Sequence, residues 1–208
     1  MAKKKIYAVR KGKSVGIFET WEACKSSVDG YPEAEYKSFP TLEEAKAYLS
    51  GNELKVECAP GQVIAYVDGS YDEAIGFYAF GCVMLTPSGE IVRKSGNGNN
   101  PESVALRNVT GEMLGAMFAV QWCEVNEYTA IQICYDYTGI EMWATGAWKA
   151  KNNLTQKYAA FMKDKQKKLD ISFRKIAAHT GDKYNEEADQ LAKAALTEGN
   201  GVPKIVKE

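Results

Sequence analysis

Apolar and polar residues follow one another in short runs over the first 50 positions. Ile6-Tyr7-Ala8-Val9 reads as a strand, Lys11-Gly12-Lys13 as a turn, and Val15-Gly16-Ile17-Phe18 as a returning strand. Thr20 is placed to N-cap a helix that runs to Val28. Residues 34–39 alternate as a third strand, and Thr41-Leu42-Glu43-Glu44 has the spacing of a capping box that opens a helix through Leu49. A unit of about 45 residues buries little, so its surface is the expected functional end.

From Gln62 onward the pattern changes to longer apolar runs. Val63-Ile64-Ala65-Tyr66-Val67 is a buried strand that reaches Asp68-Gly69-Ser70, and residues 77–85 and 90–94 are two more strands around the turn Thr86-Pro87-Ser88-Gly89. Tight turns between them make these three antiparallel. A helix follows over residues 110–125, then a strand Ile131-Gln132-Ile133-Cys134-Tyr135 ending at Asp136. Helices over 140–143 and 156–167, a strand over 171–176 and a helix over 186–196 complete the chain. The last helix carries Ala188, Leu191, Ala192 and Ala195 at i, i+3, i+4, i+7, the spacing of a buried stripe. The order β-β-β-α-β-α-α-β-α predicts an α/β unit with a mixed five-stranded sheet flanked by helices, preceded by a small α/β unit with three strands. The breakers Gly51, Pro60 and Gly61 put a linker at 51–61 between a domain at 1–50 and a domain at 62–197. The tail 198–208, with Gly199, Gly201 and Pro203, is expected to fray.

Composition narrows the class. A hydrophobic content of 45% suits a folded core, and no apolar run approaches the roughly 18–20 residues that cross a bilayer. The basic cluster at Lys3-Lys4-Lys5 has no apolar stretch behind it, so a secretory leader and a membrane partner are not expected. Five cysteines at 24, 58, 82, 123 and 134 form no CxxC pair, which excludes a zinc ribbon and a disulfide framework and predicts a reduced, cytoplasmic protein. The net charge of −1 argues by itself against a strongly basic nucleic-acid binder.

Four acids interrupt this bland picture. Asp68 and Asp136 are read at the C-terminal ends of two strands, the edge where open α/β sheets bind ligands. Glu112 and Asp189 are read in the first turns of two helices. Taken singly, a strand-end Asp serves a turn and a first-turn acid complements the helix dipole. Three or four carboxylates around one point would instead hold a pair of hard cations such as Mg²⁺ for attack on a phosphodiester. Both readings stand on spacing alone.

The motifs around these acids resemble those of type 1 ribonucleases H. Ala65-Tyr66-Val67-Asp68-Gly69-Ser70 is similar to the family's first catalytic strand, Asn108-Val109-Thr110-Gly111-Glu112-Met113 to its second motif, and Tyr135-Asp136-Tyr137 to its third. His179-Thr180-Gly181-Asp182 through Glu187-Ala188-Asp189 resembles the fourth. The resemblance implies an endonuclease that hydrolyses the RNA strand of RNA–DNA hybrids with two Mg²⁺ ions, or Mn²⁺ in their place, leaving 5′-phosphate and 3′-hydroxyl ends. It implies Asp68, Glu112, Asp136 and Asp189 as metal ligands and His179 as a loop residue for proton transfer or product release. Asn108 and Asn185 fit positions that meet the RNA sugars, whose 2′-hydroxyl separates RNA from DNA. The family often has a second Asn where this chain has Val109, and Ser where it has Tyr137. For Asn185, a helix N-cap is the alternative role.

Residues 7–39 resemble the small hybrid-binding domain that precedes many ribonucleases H, also found in a caulimovirus inclusion-body protein (viroplasmin). The matching positions include Tyr7-Ala8-Val9-Arg10-Lys11-Gly12, Gly16-Ile17-Phe18, Thr20-Trp21 and Tyr36-Lys37. The resemblance assigns Tyr7 and Trp21 to the DNA strand, Tyr36 as a third aromatic contact, Lys37 to a phosphate and Arg10 to nucleic-acid binding, with double-stranded RNA as a further ligand. Aromatic faces pack on sugars and bases while cations neutralise phosphates. Without the resemblance, Trp21 and Tyr36 would be read as core.

Charge divides with the domains. Residues 1–50 hold 9 basic and 7 acidic side chains; residues 51–208 hold 17 and 20. Counting one charge per ligand, two divalent ions would turn the second domain's −3 into about +1. A monomer is expected. Two other readings are a hybrid- or double-stranded-RNA-binding protein without catalysis, and another nuclease of the same fold such as a transposase core. The full acid set argues against the first, and the N-terminal domain and His179 motif against the second.

Overall fold

The computed structural model describes residues 5–50, 57–176 and 182–207. The chain divides into two compact units, residues 1–56 and 57–208.

In the first unit, strands β1 (Ile6–Lys11), β2 (Gly16–Phe18) and β3 (Glu35–Phe39) form an antiparallel sheet in the order β2-β1-β3. Helices α1 (Trp21–Val28) and α2 (Leu42–Ser50) complete it. Thr20 caps α1 by accepting from the Ala23 N–H at 3.3 Å. At α2 the Thr41 hydroxyl accepts from the Glu44 N–H and the Glu44 carboxylate from the Thr41 N–H, both at 3.3 Å, so the capping box is reciprocal. The core is small: Val9, Cys24 and Val28, with Tyr7, Phe18 and Ala34 packed around them.

The second unit is built on a five-stranded sheet in the order β6-β5-β4-β7-β8. Strands β4 (Gln62–Asp72), β5 (Phe77–Leu85) and β6 (Ile91–Gly98) are antiparallel, while β7 (Ala130–Tyr135) and β8 (Asp170–Lys175) run parallel to β4. A short helix α3 (Pro101–Val104) precedes the long helix α4 (Asn108–Val125). Helices α5 (Gly139–Ala144) and α6 (Asn153–Lys165) lie between β7 and β8, and α7 (Lys183–Glu198) ends the fold. The main core joins Val67 and Phe80 of the sheet to Met113, Phe118 and Trp122 of α4 and to Met162 of α6. Among the described residues no helix is long and apolar enough to cross a membrane.

Four boundaries that bear on the site or on capping differ from the sequence reading. Helix α6 starts at Asn153 rather than Gln156, because Asn152 and Thr155 form a capping box that does not use the Ser/Thr-x-x-Glu spelling. Helices α4 and α7 start two and three residues earlier than read, so Glu112 and Asp189 sit in second turns and are not dipole-complementing first-turn acids. Strand β4 does not stop at Asp68: it continues to Asp72 because β5 pairs with it along its whole length.

The residues after Glu198, expected to fray, are tied down. The Asn97 amide donates to the Gly199 carbonyl at 3.0 Å and accepts from the Gly201 N–H at 2.9 Å. Ile205 packs on the main core, and Lys207 pairs with Glu127 at 2.8 Å. Asn97 is only 5% exposed, so these bonds satisfy a buried amide that the sequence reading had no reason to pair with the tail.

Two glycines set how closely the helices approach the sheet. A Cβ on Gly69 would stand 2.1 Å from the Asn108 carbonyl oxygen and 2.5 Å from the Glu112 nitrogen, both in α4. A Cβ on Gly81 would stand 2.0 Å from the Ala188 carbonyl oxygen and 2.7 Å from the Ala192 nitrogen, both in α7. Backbone atoms cannot step aside as a flexible side chain can, so Gly81→Ala must push α7 outward. The expected loss is about 1–3 kcal/mol of unfolding free energy, read from the urea midpoint. An unchanged midpoint would show that α7 rides loosely on the sheet.

Candidate active site

Asp68 and Asp136 come together through strand register. The last parallel pair between β4 and β7 is Tyr66 with Cys134, and each aspartate lies two residues further on. Side chains alternate along a strand, so an offset of two returns both to the same side at the same level. Glu112 joins them because α4 rests on Gly69, the residue after Asp68. One carboxylate oxygen from each of Asp68, Glu112 and Asp136 lies within 4.8 Å of the others.

The three carboxylates are not equivalent. Glu112 is 1% exposed, and among the described residues its Oε2 has no hydrogen-bond partner. Burial first, then the charges of Asp136 and Asp68, push its pKa up to about 9, although the Tyr137 backbone N–H opposes this. Asp68 is half-buried, and its Oδ1 accepts from the Gly69 N–H at 2.7 Å. Burial raises its pKa to about 6, with Asp136 and Asp189 adding to the rise, while the Gly69 N–H and Lys193 work against it. Such crowding of hard oxygen donors, with one buried oxygen unpaired, fits a divalent cation better than a closed hydrogen-bond network.

Asp189 stands apart. It projects from α7 close enough to act electrostatically on Asp68 but lies outside the 4.8 Å group, and its Oδ2 accepts from Lys193 Nζ at 2.7 Å. His179 lies outside the described residues. Asn108 is the exposed first residue of α4, one turn before Glu112. Asn185 is not the N-cap of α7. Asp182 takes that role by accepting from the Tyr184 and Asn185 N–H groups, and Asn185 is buried with its Oδ1 unpaired. Two contributors escaped the sequence reading. The Tyr137 N–H is a backbone group with no sequence signal. Lys193 was readable, since Asp and Lys four apart on a helix meet.

The first unit carries a separate surface. Trp21 lies between Tyr7 and Tyr36, with ring centroids 5.6 and 5.9 Å away, and Trp21 and Tyr36 are 40% and 45% exposed. These aromatics are therefore not core residues. Arg10 and Lys37 do not join them. The Arg10 guanidinium sits 4.2 Å over the Tyr48 ring and donates to the Tyr48 carbonyl oxygen, while Lys37 lies 5.7 Å from the Phe39 ring, which in turn packs on Tyr48 at 5.3 Å. Strand alternation puts Tyr36 and Lys37 on opposite faces of β3. The five residues taken together in the sequence thus form two sets.

Comparison with known proteins adds an independent line. The family model described as RNase H matches residues 60–197, and the model described as Ribonuclease H1 N-terminal domain matches residues 5–49. The chain is 24% identical to Ribonuclease H1 of Mus musculus over 90% of this chain and 87% of that protein. It is 56% identical to Ribonuclease H of Saccharomyces cerevisiae over 43 residues, which span 21% of this chain and 12% of that protein. Among solved structures, LC11-RNase H1 in complex with RNA/DNA hybrid is similar in fold, with a TM-score of 0.54 and 17% identity over 65% of this chain and 97% of that one.

The raised acids set the pH dependence of the metal-free protein. Glu112 and Asp68 hold protons in the fold that the unfolded chain releases above about pH 4. The unfolded state then binds fewer protons, so stability falls as pH rises from about 4 to about 9 and levels off above. Thermal melts in a chelator should show this slope. Glu112→Gln should flatten it and raise the pH 8 melting temperature by roughly 5–10 °C. A divalent cation should shrink the slope in the unsubstituted protein. A metal-free melting temperature that rises from pH 5 to pH 9 would contradict the electrostatics described.

Proposed function

The chain belongs to the ribonuclease H family, and from that premise we propose that it is an endonuclease hydrolysing the RNA strand of RNA–DNA hybrids. The observation that carries this reading is the Asp68–Glu112–Asp136 group, three carboxylates within 4.8 Å with a buried, unpaired Glu112 oxygen among them. That LC11-RNase H1 was solved in complex with RNA/DNA hybrid supports the choice of substrate.

In this reading Asp68, Glu112, Asp136 and Asp189 hold two Mg²⁺ ions, with Mn²⁺ able to replace them. Bound there, the ions would supply Lewis acidity, easing ionisation of the attacking water and taking up charge on the leaving 3′ oxygen, so that the products carry 5′-phosphate and 3′-hydroxyl ends. The protein's own part is to hold the carboxyl groups together in a partly dry site, where Glu112 keeps its proton at pH 7 until a cation takes its place. Asn108 and Asn185 would meet 2′-hydroxyls, and the exposure of Asn108 at the start of α4 supports the first of these. His179 is assigned proton transfer or product release.

The first unit, residues 1–50, would serve as a clamp that raises the effective concentration of hybrid at the second. Tyr7, Trp21 and Tyr36 would pack against the DNA strand, and Arg10 and Lys37 would serve flanking phosphates from the other face. Double-stranded RNA is a second ligand in this reading. A monomer and a cytoplasmic location complete it, the latter supported by five free cysteines.

Incubation of a labelled hybrid with Mg²⁺, beside DNA–DNA and RNA–RNA duplexes, should give cleavage of the hybrid's RNA strand alone. Cleavage of all three, or of none, would reject the reading. Asp68→Asn should lower turnover by at least about a thousandfold while hybrid binding persists. Deleting residues 1–50, or Trp21→Ala alone, should weaken hybrid binding by about 10–100-fold and spare cleavage at saturating hybrid. Equal affinity in the truncated protein would refute the clamp.

A further inference from the structure

Three carboxylates converge and the fourth does not, and the structure supplies a reason. Lys193 lies one turn after Asp189 on α7, and its ammonium donates to Asp189 Oδ2 at 2.7 Å. The same ammonium is close enough to Asp68 that each alters the other's ionisation. Among the described residues, Asp189 is thus the one of the four proposed ligands that forms an ion pair with a cation of the protein itself. We propose that Lys193 is a positioning residue: an internal cation that occupies Asp189 until a divalent ion displaces it, so that the fourth carboxylate enters the site only as metal loads. The proposal rests on the reading of these four acids as cation ligands.

The geometry suits an exchange rather than a lock. The Lys193 side chain is 62% exposed and that of Asp189 37%, so the pair is held in a largely aqueous setting where such bonds contribute about 0.2–1 kcal/mol. A divalent ion bound by hard oxygen donors exceeds that easily. The flexible four-carbon stem lets the ammonium swing to solvent without moving α7. While the pair lasts, it also screens Asp189 from Asp68, so the metal-free site carries one fewer uncompensated charge.

The test is a four-protein cycle read by the shift of melting temperature with Mg²⁺ at constant ionic strength: unsubstituted chain, Lys193→Gln, Asp189→Asn and the double variant. Lys193→Gln should lower the half-saturating Mg²⁺ by about two- to fivefold, the equivalent of the pair's contribution. Lys193→Arg, which keeps a cation in reach, should stay near the unsubstituted value. In the Asp189→Asn background Lys193→Gln should tighten Mg²⁺ clearly less than in the Asp189 background, because only the through-space action on Asp68 remains. An equal tightening in that background would show only a general charge effect and overturn the competition, as would no tightening in the first pair. Absence of any Mg²⁺-dependent shift in the unsubstituted chain would instead defeat the metal-site reading itself.

Discussion

The active-site arrangement depends on backbone touching backbone at two glycines. Gly69 follows Asp68 along β4, and Gly81 faces Asp68 across the β4–β5 ladder. Through the first, α4 comes to rest on the strand, with Gly111 reciprocating against the Ala79 carbonyl oxygen. Through the second, α7 does the same. Helices on sheets ordinarily stand off by a layer of side chains. Here that layer is missing beside Asp68, and Glu112 is delivered to within carboxylate reach of it. The apolar core of β4, β5 and α4 holds the approach in place.

What the core holds together, electrostatics pushes apart. Glu112 is desolvated and flanked by two acids, and among the described residues one backbone N–H, that of Tyr137, answers its charge. In an apolar setting with no cation nearby such a group stays protonated. The fold therefore stores an unsatisfied demand for positive charge at one point of its surface. Lys193 meets a small part of it from the α7 side, and the remainder is the physical basis for reading the site as one for cations. The near-neutral net charge, which first argued against a nucleic-acid partner, includes these crowded acids, which the proposed cations would neutralise.

The first unit shows how a small domain divides its labour by strand parity. One face of β1 and β3 presents Tyr7 and Tyr36 beside Trp21, and the other binds α2 through Arg10, Phe39 and Tyr48. The cluster of Val9, Cys24 and Val28 on the Tyr7 face is small, and Trp21 stays 40% exposed beside it. The sequence motif ran across both faces because neighbours in sequence alternate between them.

The sequence by itself determined the elements and their order, because apolar periodicity, caps and turns act over a few residues: the Thr20 cap, the Thr41–Glu44 box and the five strands of the second sheet were all legible. It also singled out the four acids as residue types. The capping box at Asn152 and the anchoring of the tail by Asn97 were not legible, since each depends on which distant or differently spelled partner satisfies a polar group; α4 starts with no side-chain cap to mark it, and the Asp182 cap of α7 was legible but not read. Only the tertiary structure decided that Asp68, Glu112 and Asp136 meet while Asp189 is held by Lys193, and that the tyrosines and cations of the first unit face opposite ways. Convergence of groups 24 to 68 residues apart in the chain is set by register and by the thickness of the layer between helix and sheet. A missing Cβ changes that thickness, and its effect can be seen only once the helix has a strand to lie on.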